Sequence, residues 1–278
     1  MNTCFRCSNV WMILTLVPVW LLVRDAGLAA TQAKSHNSGW LTPLGSQWIL
    51  KSPGKPYSIQ RVSQPSLHGE DSLRFELRKG EAWSNKSGSR TFRTEVDTDE
   101  YPPMKSVRWY RLDLYLPQNF PIESNRLVLA QWHGEDKTYL GEVGRSPILA
   151  FRYRSGHFFI TLRHSAERVV HDADAVPSKE LFGTDSFPLN EWNDFVVQAK
   201  WSFEEDGLIN VWWQGKPIIQ YRGPVGYNDD VGPYLTFGIY RDDTDKTYIS
   251  YVNQVRSGSK PEDIGFKPSV GTTPESSR

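Results

Sequence analysis

The sequence predicts an all-β fold, specifically a jelly-roll sandwich of two antiparallel sheets with a concave groove. Apolar and polar residues alternate with a period of two through much of residues 40–260, as in strands with one buried face. Gly, Pro, Asn and Asp interrupt this alternation at short intervals, which is typical of turns between antiparallel strands. No long run shows helical periodicity, so we expect strands packed as two sheets.

Individual segments show the alternation clearly. In Ser72–Arg78 the leucine and phenylalanine side chains share one face and the charged side chains share the other. Residues 208–221 predict a hairpin that turns at Gln214 and Gly215. Further strands are predicted over residues 108–116, 148–154, 158–164, 194–201 and 234–241.

The bulk composition restricts the function classes. The chain has 278 residues, of which 23% are charged, with 11 Trp and a formal net charge of +0. A balanced charge lacks the excess of positive charge that is typical of nucleic-acid-binding domains, so nucleic acid is not expected as a partner. An anionic polymer could bind only through local arginines in a cleft. We expect one domain over residues 41–262, most simply a monomer.

The N-terminal residues predict export. Residues 1–30 combine an apolar run with small residues at its end, as in a signal peptide. Residues 31–40 read as a polar leader and residues 263–278 as a flexible tail. After cleavage we expect a periplasmic or secreted protein without membrane attachment, and an uncleaved anchor is the alternative.

The two cysteines, Cys4 and Cys7, both precede the apolar run. Cleavage would remove them, so their spacing predicts neither redox chemistry nor a zinc site. An exported chain without disulfides fits a bacterial envelope or secreted protein.

Three segments place polar side chains opposite their apolar residues. They are "FRTEV" (92–96), "LAQWHG" (129–134) and "YLTFGIYR" (234–241). Period-two alternation predicts that their polar members line one sheet face. Those members are Arg93, Glu95, Gln131, His133, Thr236, Gly238 and Tyr240. Gly238 is expected to leave room for a sugar ring beside the phenol.

This combination of side chains suits β-elimination from a uronic-acid polysaccharide. Removal of the C5 proton next to a carboxylate develops negative charge, which preorganised donors must stabilise. The amide of Gln131 and the guanidinium of Arg93 are suitable donors. His133 and Tyr240 are candidates for the base that takes the proton and the acid that protonates the leaving oxygen.

The same motifs carry a family resemblance. In their order along the chain they resemble the motif strands of the heparin lyase I-like and alginate lyase-like jelly-roll polysaccharide lyases, and glucuronan lyases are similar. "WNDFVVQAKWS" (192–202) and "DGLINVWWQGKPI" (206–218) add to the likeness with heparin lyase I. The resemblance covers roughly residues 65–255.

The resemblance implies roles for the site residues. His133 and Tyr240 would be the catalytic pair, with Gln131 and Arg93 neutralising the substrate carboxylate. Histidine would be the base when the C5 hydrogen and the leaving oxygen lie on opposite faces of the sugar, whereas tyrosine could do both jobs when they share a face. The expected substrate contacts are Glu95, Arg152, Arg163 and Arg241. Glu95 is also expected to orient Arg93 or a neighbouring donor.

Two departures from the family pattern affect the expected substrate. Heparin lyases tend to have a second glutamine where this chain has Leu129, and a lysine before the glycine where it has Thr236 and Phe237. Loss of that cation argues against a heavily sulfated substrate. We therefore expect an unsulfated or lightly charged uronate polymer as the partner.

Two other function classes compete with a lyase. Glu95, Asp97 and Glu100 are spaced much as in laminarinase-like retaining glycoside hydrolases, in which Glu95 and Glu100 would be the paired carboxylates. Alternatively, exposed tryptophans could make the chain a non-catalytic carbohydrate-binding module. No cofactor and no metal ligand set is predicted. A structural calcium ion is compatible with the acidic run 242–245, which lacks a recognised calcium loop.

Overall fold

The structure is a computed structural model that describes residues 48–86 and 88–268. These residues all belong to one compact unit, Asn37–Arg278. The predicted signal peptide and polar leader lie outside the described residues, as do the last ten residues of the predicted tail.

Strands make up most of the described chain, together with three short 3₁₀ helices, η1 to η3. In chain order the strands are β1 (Trp48–Lys51), β2 (Ile59–Leu67), β3 (Glu70–Leu77), β4 (Trp83–Ser84), β5 (Arg90–Thr98), β6 (Val107–Tyr115), β7 (Leu127–His133), β8 (Leu149–Arg154), β9 (His157–Leu162), β10 (His164–Ser165), β11 (Lys179–Thr184), β12 (Trp192–Lys200), β13 (Leu208–Trp213), β14 (Lys216–Arg222), β15 (Gly226–Tyr227), β16 (Tyr234–Arg241) and β17 (Tyr248–Gly258). The helices are η1 (Thr138–Leu140), η2 (Ala173–Ala175) and η3 (Pro261–Ile264). The longest runs of helical residues are therefore single turns, and no helix among the described residues could span a bilayer.

The strands form two large antiparallel sheets. The eight-stranded sheet has the order β1-β5-β16-β7-β8-β9-β11, with β4 paired to β5. The seven-stranded sheet has the order β14-β13-β12-β6-β17-β3-β2. This arrangement confirms the predicted two-sheet, all-β fold. It also places β5, β16 and β7, the three motif strands, side by side.

The core fills the space between the two sheets. Val96, Trp132 and Phe237 from the eight-stranded sheet are fully buried with Phe75 and Phe195 from the seven-stranded sheet. Each such side chain contributes roughly 1.5–3 kcal/mol through burial. Because these apolar residues face inward, their polar sequence neighbours must point away from the core.

The predicted hairpin turn is confirmed between β13 and β14. Gln214 and Gly215 both have positive φ angles, 50° and 72°. Two consecutive residues of positive φ define the turn whose twist matches a two-residue hairpin.

The predicted tail differs from the structure where it is described. The end of η3 and the residues after it pack on the outer side of the seven-stranded sheet, where Ile264 is fully buried. Phe266 lies 5.1 Å from Trp212 and 6.0 Å from Trp109, measured between ring centroids. Ile264 and Phe266 are thus held by packing against aromatic residues, which a reading of the polar composition of the segment missed.

Candidate active site

The polar face of the eight-stranded sheet is the side that points away from the core, and cross-strand register assembles it. Tyr240 of β16 lies opposite Arg93 of β5. Thr236 lies between Asp97 on one side and Gln131 on the other. Tyr234 lies opposite His133. The structure therefore brings the polar members of all three motifs onto neighbouring strands.

Glu95 lies at the centre of this face. Its Oε1 accepts a 2.7 Å hydrogen bond from Nε2 of Gln131, and its Oε2 lies 3.5 Å from Nη1 of Arg93. The carboxyl group is fully buried, and burial raises its pKa to about 7, with the positive charge of Arg93 opposing that effect. A side chain with no exposed surface cannot contact a substrate directly. The predicted substrate contact at Glu95 is therefore corrected to an orienting role toward Gln131 and Arg93.

Tyr240 is flanked by positive charge. The guanidinium carbon of Arg93 lies 4.0 Å from the centroid of the phenol ring, and that of Arg126 lies 4.6 Å away. Arg126 pairs with Asp242 at 2.8 Å. Cations at these distances are attracted by the ring face and would stabilise negative charge that develops near it.

Arg152 of β8 extends the cationic part of the polar face. Its Nε donates a 3.0 Å hydrogen bond to Oγ1 of Thr161, and no carboxylate in the described part of the chain acts on it. Burial, with the charges of Arg163 and Arg126, lowers the pKa of Arg152 to about 10. A largely buried guanidinium without a counter-ion is costly unless an anion joins it.

Arg163 lies close enough to Arg152 to interact with it electrostatically. Its Nε and Nη1 are buried without a hydrogen-bond partner in the described residues, and burial lowers its pKa. The two predicted substrate contacts Arg152 and Arg163 thus form one cationic region, and neither makes an ion pair with a carboxylate in the described residues, although Asp174 acts on Arg163 from a greater distance.

His133 is held by backbone carbonyls. Its Nδ1 lies 2.7 Å from the carbonyl oxygen of Gly134, and its Nε2 lies 2.9 Å from that of Arg145. Both nitrogens can donate at once only when the ring carries two protons. In this conformation neither nitrogen is free to accept a proton from a substrate.

A buried ionic cluster fixes the loop behind His133. The guanidinium of Arg145 is paired with both carboxylate oxygens of Asp229, at 2.8 and 3.1 Å. Lys137 contacts the same carboxylate at 2.5 Å, and Glu142 accepts a 2.6 Å hydrogen bond from the Lys137 backbone. Paired and hydrogen-bonded charges of this kind hold a loop in one arrangement.

The backbone conformation and packing at position 238 require a glycine. Its φ is 134°, and a Cβ at this position would lie 2.4 Å from the carbonyl oxygen of Thr94 and 2.9 Å from the Cα of Glu95. The pairing of β16 with β7 shifts register between Phe237 and Tyr240. The prediction that Gly238 leaves room for a sugar is therefore corrected: the missing side chain permits close packing of the strands at a bulge.

A second register shift lies at Leu129, the position where the family pattern has a glutamine. β7 and β8 shift register between Val128 and Ala130, and Leu129 is buried within the core cluster. The position that carries glutamine in heparin lyases thus contributes to the core in this protein.

Arg241 does not lie on the polar face. Its side chain is fully buried and donates hydrogen bonds to the backbone carbonyls of Asp242, at 2.8 Å, and Arg78, at 2.9 Å. A substrate cannot reach it, so the predicted substrate contact at Arg241 is corrected to a structural role. Strand alternation already places it on the side opposite Tyr240.

Sequence reasoning missed a cation that β1 brings to this face. Nζ of Lys51 lies 2.5 Å from Oδ2 of Asp97, whose Oδ1 accepts a 2.9 Å hydrogen bond from Thr236. Lys51 also lies over the ring of Tyr234 at 5.4 Å. Its contribution depends on the pairing of β1 with β5, which no local pattern reveals.

The carboxylates expected of a hydrolase are not brought together. Glu100 pairs with Arg108 of β6 and accepts a hydrogen bond from Ser257 of β17, both in the seven-stranded sheet. Glu95 is buried in the other sheet. The arrangement predicted for a retaining glycoside hydrolase at Glu95 and Glu100 therefore does not occur.

Two carboxylates of the acidic run 242–245, considered above for calcium, form ion pairs with neighbouring basic side chains. Asp242 pairs with Arg126, and Asp245 lies 3.6 Å from Nζ of Lys246. Across the described ranges, no group of three His, Cys, Asp or Glu side chains is positioned to hold a metal ion. That the reaction needs no cofactor stays a prediction.

The two-sheet sandwich defines a jelly-roll fold, and comparison with known proteins gives the class of enzyme. A family model described as "Polysaccharide lyase" matches residues 30–256. The chain belongs to this polysaccharide lyase family and is a polysaccharide lyase. Among curated proteins, none matches it by sequence.

Solved structures share the fold at low sequence identity. An endo-β-1,4-glucuronan lyase from the fungus Trichoderma reesei is 14% identical with a TM-score of 0.65, over 79% of this chain and 97% of that chain. The family 7 alginate lyase A1-II′ is 12% identical with a TM-score of 0.50, over 80% and 96%. A glycoside hydrolase family 131 protein from Coprinopsis cinerea is 13% identical with a TM-score of 0.52, over 77% and 83%. Because the fold hosts both lyases and a hydrolase, the site residues must decide the chemistry.

Proposed function

We propose that this chain is an exported lyase that cleaves a uronate-containing, anionic polysaccharide by β-elimination. One observation carries the proposal: Tyr240 lies between two guanidinium groups on the same sheet face as Gln131, next to arginines that lack a counter-ion. Export is supported by the apolar run of residues 10–23.

Neutralisation of the substrate carboxylate falls to Gln131 and Arg93. Glu95 engages one amide N–H of Gln131, which leaves the other to donate to a ligand. The Arg93 side chain is 15% exposed, and Glu95 lies 3.5 Å from its Nη1, so the exposed part of its guanidinium can face a ligand. Donors held in place before the reaction stabilise charge on the carboxylate without reorganisation.

Tyr240 is the better candidate for proton transfer. Its phenolate oxygen would take the C5 proton, the C4–C5 double bond would form as the C4–O bond breaks, and the phenol would return the proton to the leaving oxygen. One group can do both only when the proton and the leaving oxygen share a face, as in glucuronate or mannuronate. His133 is held by two carbonyls, so in this conformation it fixes the loop after β7 and does not transfer a proton. A rotation of its ring would be needed for it to act as the base.

The proposal is tested with purified protein and a polymer panel. Alginate, glucuronan, heparin, hyaluronan and bacterial exopolysaccharides are incubated with the protein, and the ultraviolet absorbance of unsaturated products is followed. A lyase gives this absorbance, whereas a hydrolase gives new reducing ends without it and a binding module gives neither. Reducing ends alone, or binding alone, would refute β-elimination.

The variant Tyr240→Phe tests the acid–base assignment. We expect turnover of the best polymer to fall by roughly 10²–10⁴-fold, the usual contribution of general acid–base catalysis. Tyr251→Phe, on the other sheet, is the matched control and should keep wild-type turnover. His133→Ala should cost less than Tyr240→Phe, and the reverse order would make His133 the base.

A further inference from the structure

A pocket adjoins His133 on the side of β1 and β5. Its volume is about 420 Å³. The residues that matter for its chemistry are Lys51, Asp97, Tyr101, Glu135, Asp136 and Tyr234. The rings of Tyr101 and Tyr234 lie 5.5 Å apart and present carbon surface to the pocket, as sugar-binding pockets commonly do.

The charge of this pocket is not suited to an anion. Its lining cation, Lys51, is already bound to Asp97 at 2.5 Å. Glu135 is exposed at the rim and accepts a hydrogen bond from the Tyr101 hydroxyl. Oδ1 of Asp136 accepts a hydrogen bond from the backbone N–H of Arg145 at 3.1 Å and lies 3.4 Å from Nε of the same arginine, so Asp136 is already paired. A carboxylate or sulfate entering here would meet the exposed charge of Glu135, while the cations Lys51 and Arg145 are already engaged.

The opposite side of the polar face has the reverse balance. Arg152 and Arg163 have no carboxylate partner in the described residues, and Arg93 and Arg126 flank the candidate catalytic phenol. Cations without an ion-pair partner in the described residues, Arg152 and Arg163, therefore lie on the side of β8 and β9, whereas the pocket beside β1 has the exposed carboxylate of Glu135 and a lysine that is already paired. A substrate with acid groups on every ring would place one against Glu135.

We propose that this pocket is the subsite for a sugar without a carboxylate or sulfate, attached directly to the cleaved uronate. The inference rests on the proposed β-elimination and narrows its substrate class to polymers in which uronate adjoins a neutral or N-acetylated amino sugar. Tyr101 and Tyr234 would pack against the uncharged ring, while Glu135 and Asp136 would accept hydrogen bonds from its hydroxyl or amide groups.

A comparison of rates on alternating polymers and on uronate homopolymers tests the inference. Hyaluronan, unsulfated chondroitin and N-acetylheparosan alternate glucuronate with an N-acetylhexosamine, whereas glucuronan and polymannuronate carry an acid on every ring. We expect kcat/KM for the best alternating polymer to exceed that for either homopolymer by at least about tenfold, a usual size for discrimination by one mismatched group. Heparin, whose amino sugars are sulfated, should be turned over more slowly than N-acetylheparosan.

The variant Glu135→Gln tests whether the pocket causes the preference. It keeps an acceptor for Tyr101 but removes the charge, so the ratio of alternating to homopolymer kcat/KM should fall at least about threefold, within the range for loss of a rim charge. Glu262→Gln, an exposed carboxylate in η3, is the matched control and should leave the ratio unchanged.

The outcomes separate the two proposals. Unsaturated products formed as fast or faster from a homopolymer, or a ratio unmoved by Glu135→Gln, would overturn the subsite inference while β-elimination stands. Absence of unsaturated products from every polymer would overturn the proposed function, and the subsite inference with it.

Discussion

At the scale of single residues, Glu95 links the two groups assigned to the substrate carboxylate. Its carboxyl group contacts Gln131 and Arg93 and is fully buried. Burial raises its pKa from 4.5 to about 7. The folded protein therefore retains a proton that the unfolded chain releases as the pH rises above 4.5.

The variant Glu95→Gln should change how stability depends on pH. Because the unfolded state binds fewer protons than the folded state in this range, Glu95 lowers wild-type stability as pH rises from 4.5 to about 7, by about 3 kcal/mol. Glutamine cannot titrate, so the variant should lose this part of the slope. Urea unfolding at several pH values measures it, and parallel wild-type and variant curves would contradict the prediction.

Arg152 is the residue whose removal should separate function from stability. Replacing it with glutamine deletes a charged substrate contact, so kcat/KM should fall roughly 10- to 100-fold, as expected for a charged hydrogen bond worth about 1.5–3 kcal/mol. The melting temperature should hold or rise, because a half-buried guanidinium without a carboxylate partner in the described residues is removed.

Steady-state kinetics and thermal melting of Arg152→Gln measure both effects. Arg222→Gln, exposed at the end of β14 in the other sheet, is the matched control. A variant that loses stability but keeps its kcat/KM would assign Arg152 a structural role instead.

At the scale of strands, two register shifts align the site. One lies in β16 at Gly238, and the other lies in β7 at Leu129. Bulges re-aim the side chains that follow them. The shift in β16 sets Tyr240 opposite Val128 of β7, whereas its pairing with Arg93 of β5 continues in unbroken register.

The variant Gly238→Ala should disturb this alignment. Its Cβ would approach the Thr94 carbonyl oxygen to 2.4 Å at a φ that side chains rarely adopt, so we expect a loss of at least about 2 kcal/mol of stability. Urea unfolding measures the loss. Gly144→Ala, where a Cβ has only ordinary contacts, should stay within about 0.5 kcal/mol of wild type. Equal stability of the two variants would show that the bulge tolerates a side chain.

Regular alternation was the part of the fold that could be predicted from sequence. It placed Ala130, Trp132 and Phe237 in the core, and the structure confirms this. It could not locate β17, the 11-residue strand next to β6, because a register shift and a positive φ at Gln254 break its pattern. Lys51 was missed for a different reason, since its place in the site depends on pairing between distant strands.

At the scale of the whole molecule, a formal net charge of +0 contrasts with the local charge of the polar face. Arg93, Arg126, Arg152 and Arg163 concentrate positive charge on one side of one sheet. Attraction of a polyanion then depends on local charge such as this and not on net charge, and solvent ions can screen it.

Salt should therefore weaken substrate binding even though the protein carries no net charge. Raising ionic strength from about 0.1 M to about 1 M shortens the screening length from about 10 Å to about 3 Å, so KM should rise while kcat changes little. Initial rates across this range measure the effect. For Arg152→Gln, KM should depend less steeply on ionic strength. A wild-type KM that does not change with ionic strength would mean that uncharged contacts dominate binding.

The ionic cluster behind His133 has a consequence for the speed of substrate exchange. Arg145, Lys137 and Asp229 hold the adjoining wall in place before any sugar arrives. A wall that is already built loses little conformational entropy when a chain enters, and it requires no folding step before release. With this wall already in place, we expect bond breaking or movement of the polymer, and not a rearrangement of this loop, to limit the rate.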